Sequence, residues 1–302
     1  CFGSLDHHIM VRILAEKIHD NRFLRLIQQM LKAGYLEDWR YHETLSGAPQ
    51  GGVVSPILSN IYLHKLDVYV ETVLIPQYAR GERRRENPEY HRIQLRMARA
   101  RARGDRTQTR DLCRQLRRLP SRDPQDPGYR RLRYTRYADD HLLGFIGPKA
   151  EAEAIKDQLA RFLREDLALE LHPGKTLITH ARTRAARYLG YEIIVQQCNE
   201  KITRGQRSIN GAVGLRVPLE VIKAKRAPYR RHGKPWHRSA LQNLDDYDIV
   251  ATFGAEYRGI VGYYLLATDV WRLGDLHWHA LTSMMKTLAA KHQSTVSRMA
   301  AK

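Results

Sequence analysis

Between Pro76 and Arg136 the chain carries 19 arginines, no lysine and seven acidic residues, a net charge of +12 over 61 residues. So many guanidinium groups cannot be desolvated together, and this stretch has to lie outside whatever core the chain builds. The flanks differ. Residues 1–75 and 137–196 are each near neutral at −1, and residues 197–302 return to +9. The formal charge of +19 on 302 residues is therefore confined to two blocks. That distribution points to a polyanionic partner. The choice of Arg over Lys in the first block suits phosphate, which the guanidinium fork holds through two parallel hydrogen bonds.

With 43% apolar residues the chain has material for one large or two ordinary domains. No apolar run approaches the ~20 residues of a spanning helix, and mean hydropathy is −0.54, so no membrane partner is expected. Cys1, Cys113 and Cys198 stand far apart without a CxxC pair, which argues against a disulfide framework and against zinc. A reducing, cytoplasmic compartment of the bacterial type is expected. The chain opens on Cys without a signal peptide and reads as a fragment. Nothing in the sequence specifies an oligomeric state.

Periodicity predicts a helix with Ile9, Ile13, Leu14 and Ile18 on one face, capped by Ser4 or Asp6. A second helix starts at Asp20, with Phe23, Leu24, Ile27, Met30 and Leu31 on one side. A Gly/Pro loop, Gly47 to Gly52, leads to a helix from about Ser55 through Val70, with Pro56 in its first turn. The arginine block has helix-forming composition and predicts a solvent-facing helical pair inserted into the domain. Leu132–Tyr137 and His141–Ile146 read as strands around a tight turn, followed by a helix burying Ile155, Leu159, Phe162, Leu163 and Leu167. Short β elements are expected at Thr176–Thr179 and Arg187–Val195. Beyond Cys198 a basic connection should lead to helical sequence from about Ile249 to Ala301, which places a domain boundary near 200.

The sharpest local feature is Arg136-Tyr137-Ala138-Asp139-Asp140-His141. Two adjacent carboxylates at a hairpin tip repel one another unless a cation sits there. Hard divalent cations take oxygen ligands, and two Mg²⁺ ions can stabilise both the attacking and leaving oxygens of phosphoryl transfer. An acid pair alone is more often an ordinary turn, and Asp245-Asp246 is expected to be a solvated pair of that kind or a helix cap. The company of Asp139 and Asp140 sets them apart.

Here the chain resembles the reverse transcriptase and maturase encoded by group II introns. Tyr137-Ala138-Asp139-Asp140 matches the family's metal-binding YADD, and Ala48-Pro49-Gln50-Gly51-Gly52 through Ser55-Pro56-Ile57-Leu58-Ser59-Asn60 matches its PQG…SPxLxN segment. Leu171-His172-Pro173-Gly174-Lys175-Thr176 and Tyr188-Leu189-Gly190-Tyr191 match the next two blocks, in the family's order. The resemblance implies an α+β fold: a polymerase palm, with an antiparallel sheet packed on helices, over residues 1–198, a basic helical insertion at 76–136, and an α-helical thumb (domain X of maturases) over 199–302. It also implies RNA-directed DNA synthesis with two Mg²⁺ ions held by Asp139 and Asp140. The partners would be an intron RNA template, a DNA primer and deoxynucleoside triphosphates.

Further roles follow from the same resemblance. Phe2 would lie beneath the incoming sugar, or be an ordinary core Phe. Pro49, Gln50 and Gly51 would contact the nucleotide and template. Lys175 would neutralise the pyrophosphate leaving group, or be a plain exposed Lys in a turn. Tyr188, Leu189 and Gly190 would brace the primer end. Arg83, Arg84, Arg85, Arg99, Arg101 and Arg103 of the insertion, with Lys286, Lys291 and Arg298 of the thumb, are the candidate RNA contacts. Tyr263, Tyr264, Trp271 and Trp278 are expected mostly in the core of a small helical bundle, and no metal is expected at His277 and His279.

The family's first metal-binding Asp lies four residues upstream of Cys1, and Asp6 reads as a helix cap rather than its substitute. The 302 residues alone are therefore expected to polymerise poorly. DNA-binding and endonuclease segments would follow Lys302. Two readings stand side by side: an RNA-directed DNA polymerase of a mobile intron that also binds intron RNA to assist splicing, and a non-catalytic RNA-binding maturase remnant.

Overall fold

The computed structural model describes residues 5–37, 40–42, 47, 53–198, 200–204 and 206–301. The chain divides into two compact units, Cys1–Ile178 and Thr179–Lys302.

In the first unit α1 (His7–Ala15) and α2 (Asn21–Lys32) begin at Asp6 and Asp20. Each carboxylate accepts two amide hydrogens of its own first turn, at 2.8–3.3 Å, which satisfies donors the helix leaves open. A short hairpin, β1 (Tyr35–Glu37) and β2 (Arg40–His42), follows. Helix α3 (Ser55–Tyr69) does not stop at Tyr69; one π-helical turn, Val70–Leu74, carries it into α4 (Ile75–Tyr78). Pro76 has no amide hydrogen to give a regular helix, and the wider turn before it absorbs the mismatch.

Next come α5 (Pro88–Ala102) and α6 (Arg106–Arg118), the hairpin β3 (Arg131–Tyr137) and β4 (Asp140–Ile146), and α7 (Lys149–Leu167). The core gathers Met10 and Leu14 of α1, Tyr62 and Leu66 of α3, Val70 and Leu74, Leu132 of β3, and Ile155, Leu159, Leu163 and Leu167 of α7. Tyr62 is fully buried, and its hydroxyl donates to the Leu167 carbonyl at 2.6 Å. Burial pushes its phenol up to about 12. Phe162 stacks on Tyr69 at 4.1 Å between ring centres.

The arginine block is the helical pair its composition predicts. α5 and α6 share a small core of their own, Ile93, Ala100, Leu112 and Leu116. Its two ends are joined: Arg80 and Arg130 exchange both backbone hydrogen bonds at 3.1 and 3.0 Å. Around that junction Arg85 pairs with Asp123, and Arg80 and Arg130 both bind Glu151.

The second unit holds a three-stranded antiparallel sheet, β5 (Ala186–Tyr188), β6 (Tyr191–Gln196) and β9 (Ala212–Arg216), with β6 central. Between β6 and β9 lie the two-residue strands β7 (Ile202–Thr203) and β8 (Gln206–Arg207). Helix α8 (Leu219–Arg226), the pair β10 (Arg230–Arg231) and β11 (Lys234–Pro235), and helices α9 (Asp246–Tyr263), α10 (Leu273–Lys291) and α11 (Val296–Ala300) complete it. Its core centres on Val217, Ile222, Tyr229, Ile249, Phe253, Leu273 and Leu276.

The mixture of helices and small antiparallel sheets is the expected α+β class. Several details differ from expectation. Thr176–Thr179 forms no strand; the Thr176 amide donates to the His172 carbonyl and its carbonyl accepts from Lys156, and Leu177 is 73% exposed. Residues 200–245 are not a bare connection but contain β7–β11 and α8, so the C-terminal part is not purely helical. The two units divide at 178/179, and the second includes the sheet in which β6 pairs with β5 on one side and with β9, beyond residue 200, on the other. Trp271 and Trp278 are not in the core, being 74% and 55% exposed, and Tyr263 is 55% exposed; only Tyr264 is buried.

Candidate functional site

In the first unit the acid pair sits where the sequence puts it, at the tip of the β3–β4 hairpin. Tyr137 pairs with Asp140 across a two-residue turn of Ala138 and Asp139. Ala138 has φ +52°, a left-handed conformation that costs an alanine about 1 kcal/mol. Asp139 and Asp140 are both exposed at that tip.

A braced scaffold holds the turn. Arg136, one residue before the turn's first flank, donates from Nη1 to the Ala138 carbonyl at 2.6 Å and to Asn60 Oδ1 at 3.1 Å. Its Nε and Nη2 grip the Asp67 carboxylate at 2.7 and 2.6 Å, and the Tyr134 hydroxyl donates to the same carboxylate at 2.8 Å. The arginine side chain is only 11% exposed and the aspartate 23%. Burial works to raise the Asp67 carboxyl, but the hydrogen bonds from Arg136 and Tyr134 outweigh it and hold the group below its ordinary value. The same contact raises Arg136, and burial beside the carboxylate raises the Tyr134 phenol. His141, just after the acid pair, is pushed down by burial.

Asn60 and Asp67 lie seven residues apart on α3, two helical turns along one face. That spacing is the signal by which this brace is detectable, and reading the sequence for motifs passed over Asp67 and Tyr134. Among the described residues no group of three or more His, Cys, Asp or Glu forms a metal cluster. Asp139 and Asp140 supply hard oxygen donors suited to Mg²⁺, as a pair. Phe2, Pro49, Gln50 and Gly51 lie outside the described residues. Lys175 is exposed in a turn in which its own amide and that of Thr176 both donate to the His172 carbonyl.

In the second unit Tyr188 pairs with Tyr191 across Leu189 and Gly190, whose φ values are +47° and +72°. Two left-handed residues in a two-residue loop make a type I′ hairpin turn. Tyr263 and Tyr264, at the end of α9, donate their hydroxyls to the Leu189 carbonyl at 2.8 Å and the Gly190 carbonyl at 3.0 Å. Tyr191 in turn donates to the Tyr263 carbonyl. A side chain at position 190 would start 3.1 Å from the Tyr263 hydroxyl, so the tyrosines also need glycine there.

The basic candidates fall into two groups. Arg83, Arg99, Arg101, Arg103 and Arg298 are exposed. Arg84 lies over the Tyr129 ring at 5.2 Å, and Arg85 is spent on Asp123. Lys286 donates to the Pro235 carbonyl at 2.8 Å, and Lys291 to the Leu244 carbonyl and to Asp246, each at 2.7 Å. Asp245 is the N-cap of α9, the helix-cap alternative the sequence offers, and Asp246 in its first turn pairs with Lys291 and His292. His279 is a buried helix residue whose Nδ1 lies 2.8 Å from the Asp275 carbonyl, and His277 stacks near Tyr257.

Comparison with known proteins meets this geometry from outside. Residues 219–302 match the family model described as type II intron maturase. The chain is 35% identical over 316 residues to the group II intron-encoded protein LtrA of Lactococcus lactis subsp. cremoris, covering 99% of this chain and 52% of that protein. It is 32% identical over 311 residues to a putative COX1/OXI3 intron 1 protein of Saccharomyces cerevisiae, covering 97% of this chain and 37% of the yeast protein. Protein YkfC of Escherichia coli is 29% identical over 193 residues. The chain thus spans about half the length, or less, of these relatives. Residues 219–302 therefore carry a type II intron maturase domain, and over nearly its whole length the chain is similar to group II intron-encoded proteins.

Proposed function

We propose that this chain is the catalytic and RNA-binding part of an RNA-directed DNA polymerase of a mobile group II intron, which also binds intron RNA to assist splicing. The observation that carries the reading is the β3–β4 tip, where Asp139 and Asp140 stand together on a turn that Arg136 fixes through the Ala138 carbonyl. Mg²⁺ bound there would supply charge for the primer 3′ hydroxyl and the incoming triphosphate. The chain's own contribution is placement. Two carboxylates that repel each other are held on one short turn by a guanidinium whose charge is consumed by Asp67 rather than by the acid pair. Arg136 thus stiffens the tip without neutralising it.

In this reading residues 1–198 serve as palm and 199–302 as thumb. The Leu189–Gly190 turn, braced by the two tyrosines of α9, steadies the primer end. Intron RNA is the template, and a DNA primer and deoxynucleoside triphosphates are the other substrates. The exposed arginines of the insertion and the exposed Trp271 and Trp278 supply the backbone and base contacts of RNA binding.

The test is Asp139→Ala in the full-length protein, with cDNA synthesis and intron-RNA binding measured side by side. Synthesis should fall to background while RNA affinity and splicing assistance stay within twofold. Retained synthesis would refute the carboxylate assignment. Equal loss of splicing assistance would refute the separation of the two activities. The non-catalytic remnant is the reading that survives if the unaltered full-length protein binds intron RNA but makes no cDNA.

A further inference from the structure

The arginines of the insertion sort into two populations. At its base they are used up: Arg85 on Asp123, Arg80 and Arg130 on Glu151, and Arg131 on the Arg80 and Glu82 carbonyls. Along α6 they are not. Arg106, Arg110, Arg114 and Arg117 follow one another at steps of four, four and three residues, which places them on one face. All four are exposed, and with Arg101 from the end of α5 and Thr109 they line an open cleft of about 700 Å³. Two acids are near. Asp105 is the helix cap and accepts the Gln108 amide at 2.8 Å. Asp111 reaches Arg114 at 3.7 Å, with both side chains 60% or more exposed. Among the described residues Arg101, Arg106, Arg110 and Arg117 have no ion-pair partner.

Like charges one helical turn apart weaken a helix. A helix that keeps them in register, with few acids interleaved, is shaped for something that supplies the negative charge. Four residues of α-helix rise about 6 Å, the order of the spacing between successive phosphates on a nucleic-acid strand. Arginine forks at that interval match a row of phosphates, each of which can accept two hydrogen bonds from one guanidinium.

We propose that this face of α6, with Arg101, is a track for the phosphodiester backbone of one nucleic-acid strand. The inference rests on the reading of the chain as a nucleic-acid-binding protein and assigns the strand a place. Recognition is of backbone charge and spacing, so RNA and DNA strands share the necessary chemistry.

The test compares the full chain with the quadruple variant Arg106→Gln, Arg110→Gln, Arg114→Gln, Arg117→Gln. A charge-matched control carries Lys17→Gln, Arg25→Gln, Lys149→Gln and Lys201→Gln, all outside the insertion. Fluorescence anisotropy with a labelled 20-nucleotide single-stranded RNA, and with DNA of the same sequence, is followed across a KCl series. Glutamine is a good helix former and removes the like-charge contacts, so circular dichroism should show unchanged helix content. In the track variant the slope of log affinity against log salt should become shallower by about 3, at roughly 0.7 per lost phosphate contact. Affinity at low salt should fall at least tenfold, and the control should change neither quantity by more than a third as much. Loss with both strands assigns the track to either backbone, and loss with RNA alone assigns it to RNA. Equal behaviour of track variant and control overturns the proposal while leaving RNA binding itself intact. Failure of the unaltered chain to bind either strand overturns both.

Discussion

The two hairpin turns solve one problem with different materials. Each closes a β-hairpin in two residues and keeps at least one of them left-handed, Ala138 in the first unit and Leu189 with Gly190 in the second. Each has a turn carbonyl held by a side chain. The first is gripped by charge, a guanidinium anchored on a carboxylate. The second is gripped by neutral phenols. A charged clamp is stiff and directional but loses heavily when half of it is removed, whereas each neutral phenol hydroxyl contributes less. The turn that presents two repelling carboxylates is the one with the charged clamp, which is where stiffness has something to oppose.

Breaking the first clamp should have the largest effect. Arg136→Met leaves Asp67 partly buried without its cation, and should lower stability by about 2–4 kcal/mol in urea denaturation followed by circular dichroism. A loss under 1 kcal/mol would mean the pair is a surface contact. pH sharpens the contrast. The folded Asp67 carboxyl lies below its unfolded value, so its contribution is fully present above the ordinary carboxylate range and is lost as pH falls through the folded value. Below about pH 4, Asp67→Asn should therefore show a flatter acid limb of stability than the unaltered chain. Burial raises the Tyr264 phenol, so its contribution is instead present below the ordinary tyrosine value and lost on the alkaline side. Tyr264→Phe should leave the acid limb unchanged. The smallest effects belong to the phenols singly. Tyr264→Phe should cost about 1 kcal/mol and Tyr263→Phe, more than half exposed, about 0.5 kcal/mol, measured the same way.

What the sequence made legible was local. Asp6 and Asp20 announce helix starts because a cap satisfies amides two and three residues away, and the Asp139 turn announces itself between two strand-like runs. The Arg136–Asp67 clamp was not legible, since a guanidinium and a carboxylate 69 residues apart look like surface charges until the fold buries them together. Trp271 and Trp278 misled for a related reason. The face of α10 that packs is made of Leu273, Leu276, His279, Ala280, Ser283 and Thr287, and Trp271 and Trp278 lie off that face and are left outside. The contacts of Lys286 and Lys291, candidate RNA contacts on the resemblance, with carbonyls of their own chain were not legible either, since the carbonyls lie 51 and 47 residues away. The strands β7, β8, β10 and β11 are two residues each, too short for any alternation to register.

The joined ends of the arginine-rich insertion have a consequence for how this chain can change over generations. Arg80 and Arg130 face each other as a backbone-bonded pair, about 5.5 Å apart at Cα in such a pairing. Everything between them hangs from one stem and keeps its own miniature core. A loop of two or three residues in place of all 49 intervening residues should therefore leave α4 and β3 unmoved, which circular dichroism and urea denaturation of the deletion variant would check. The piece behaves as an exchangeable cartridge. Its length and charge can change without touching the Arg136–Asp67 contact that braces the hairpin following it.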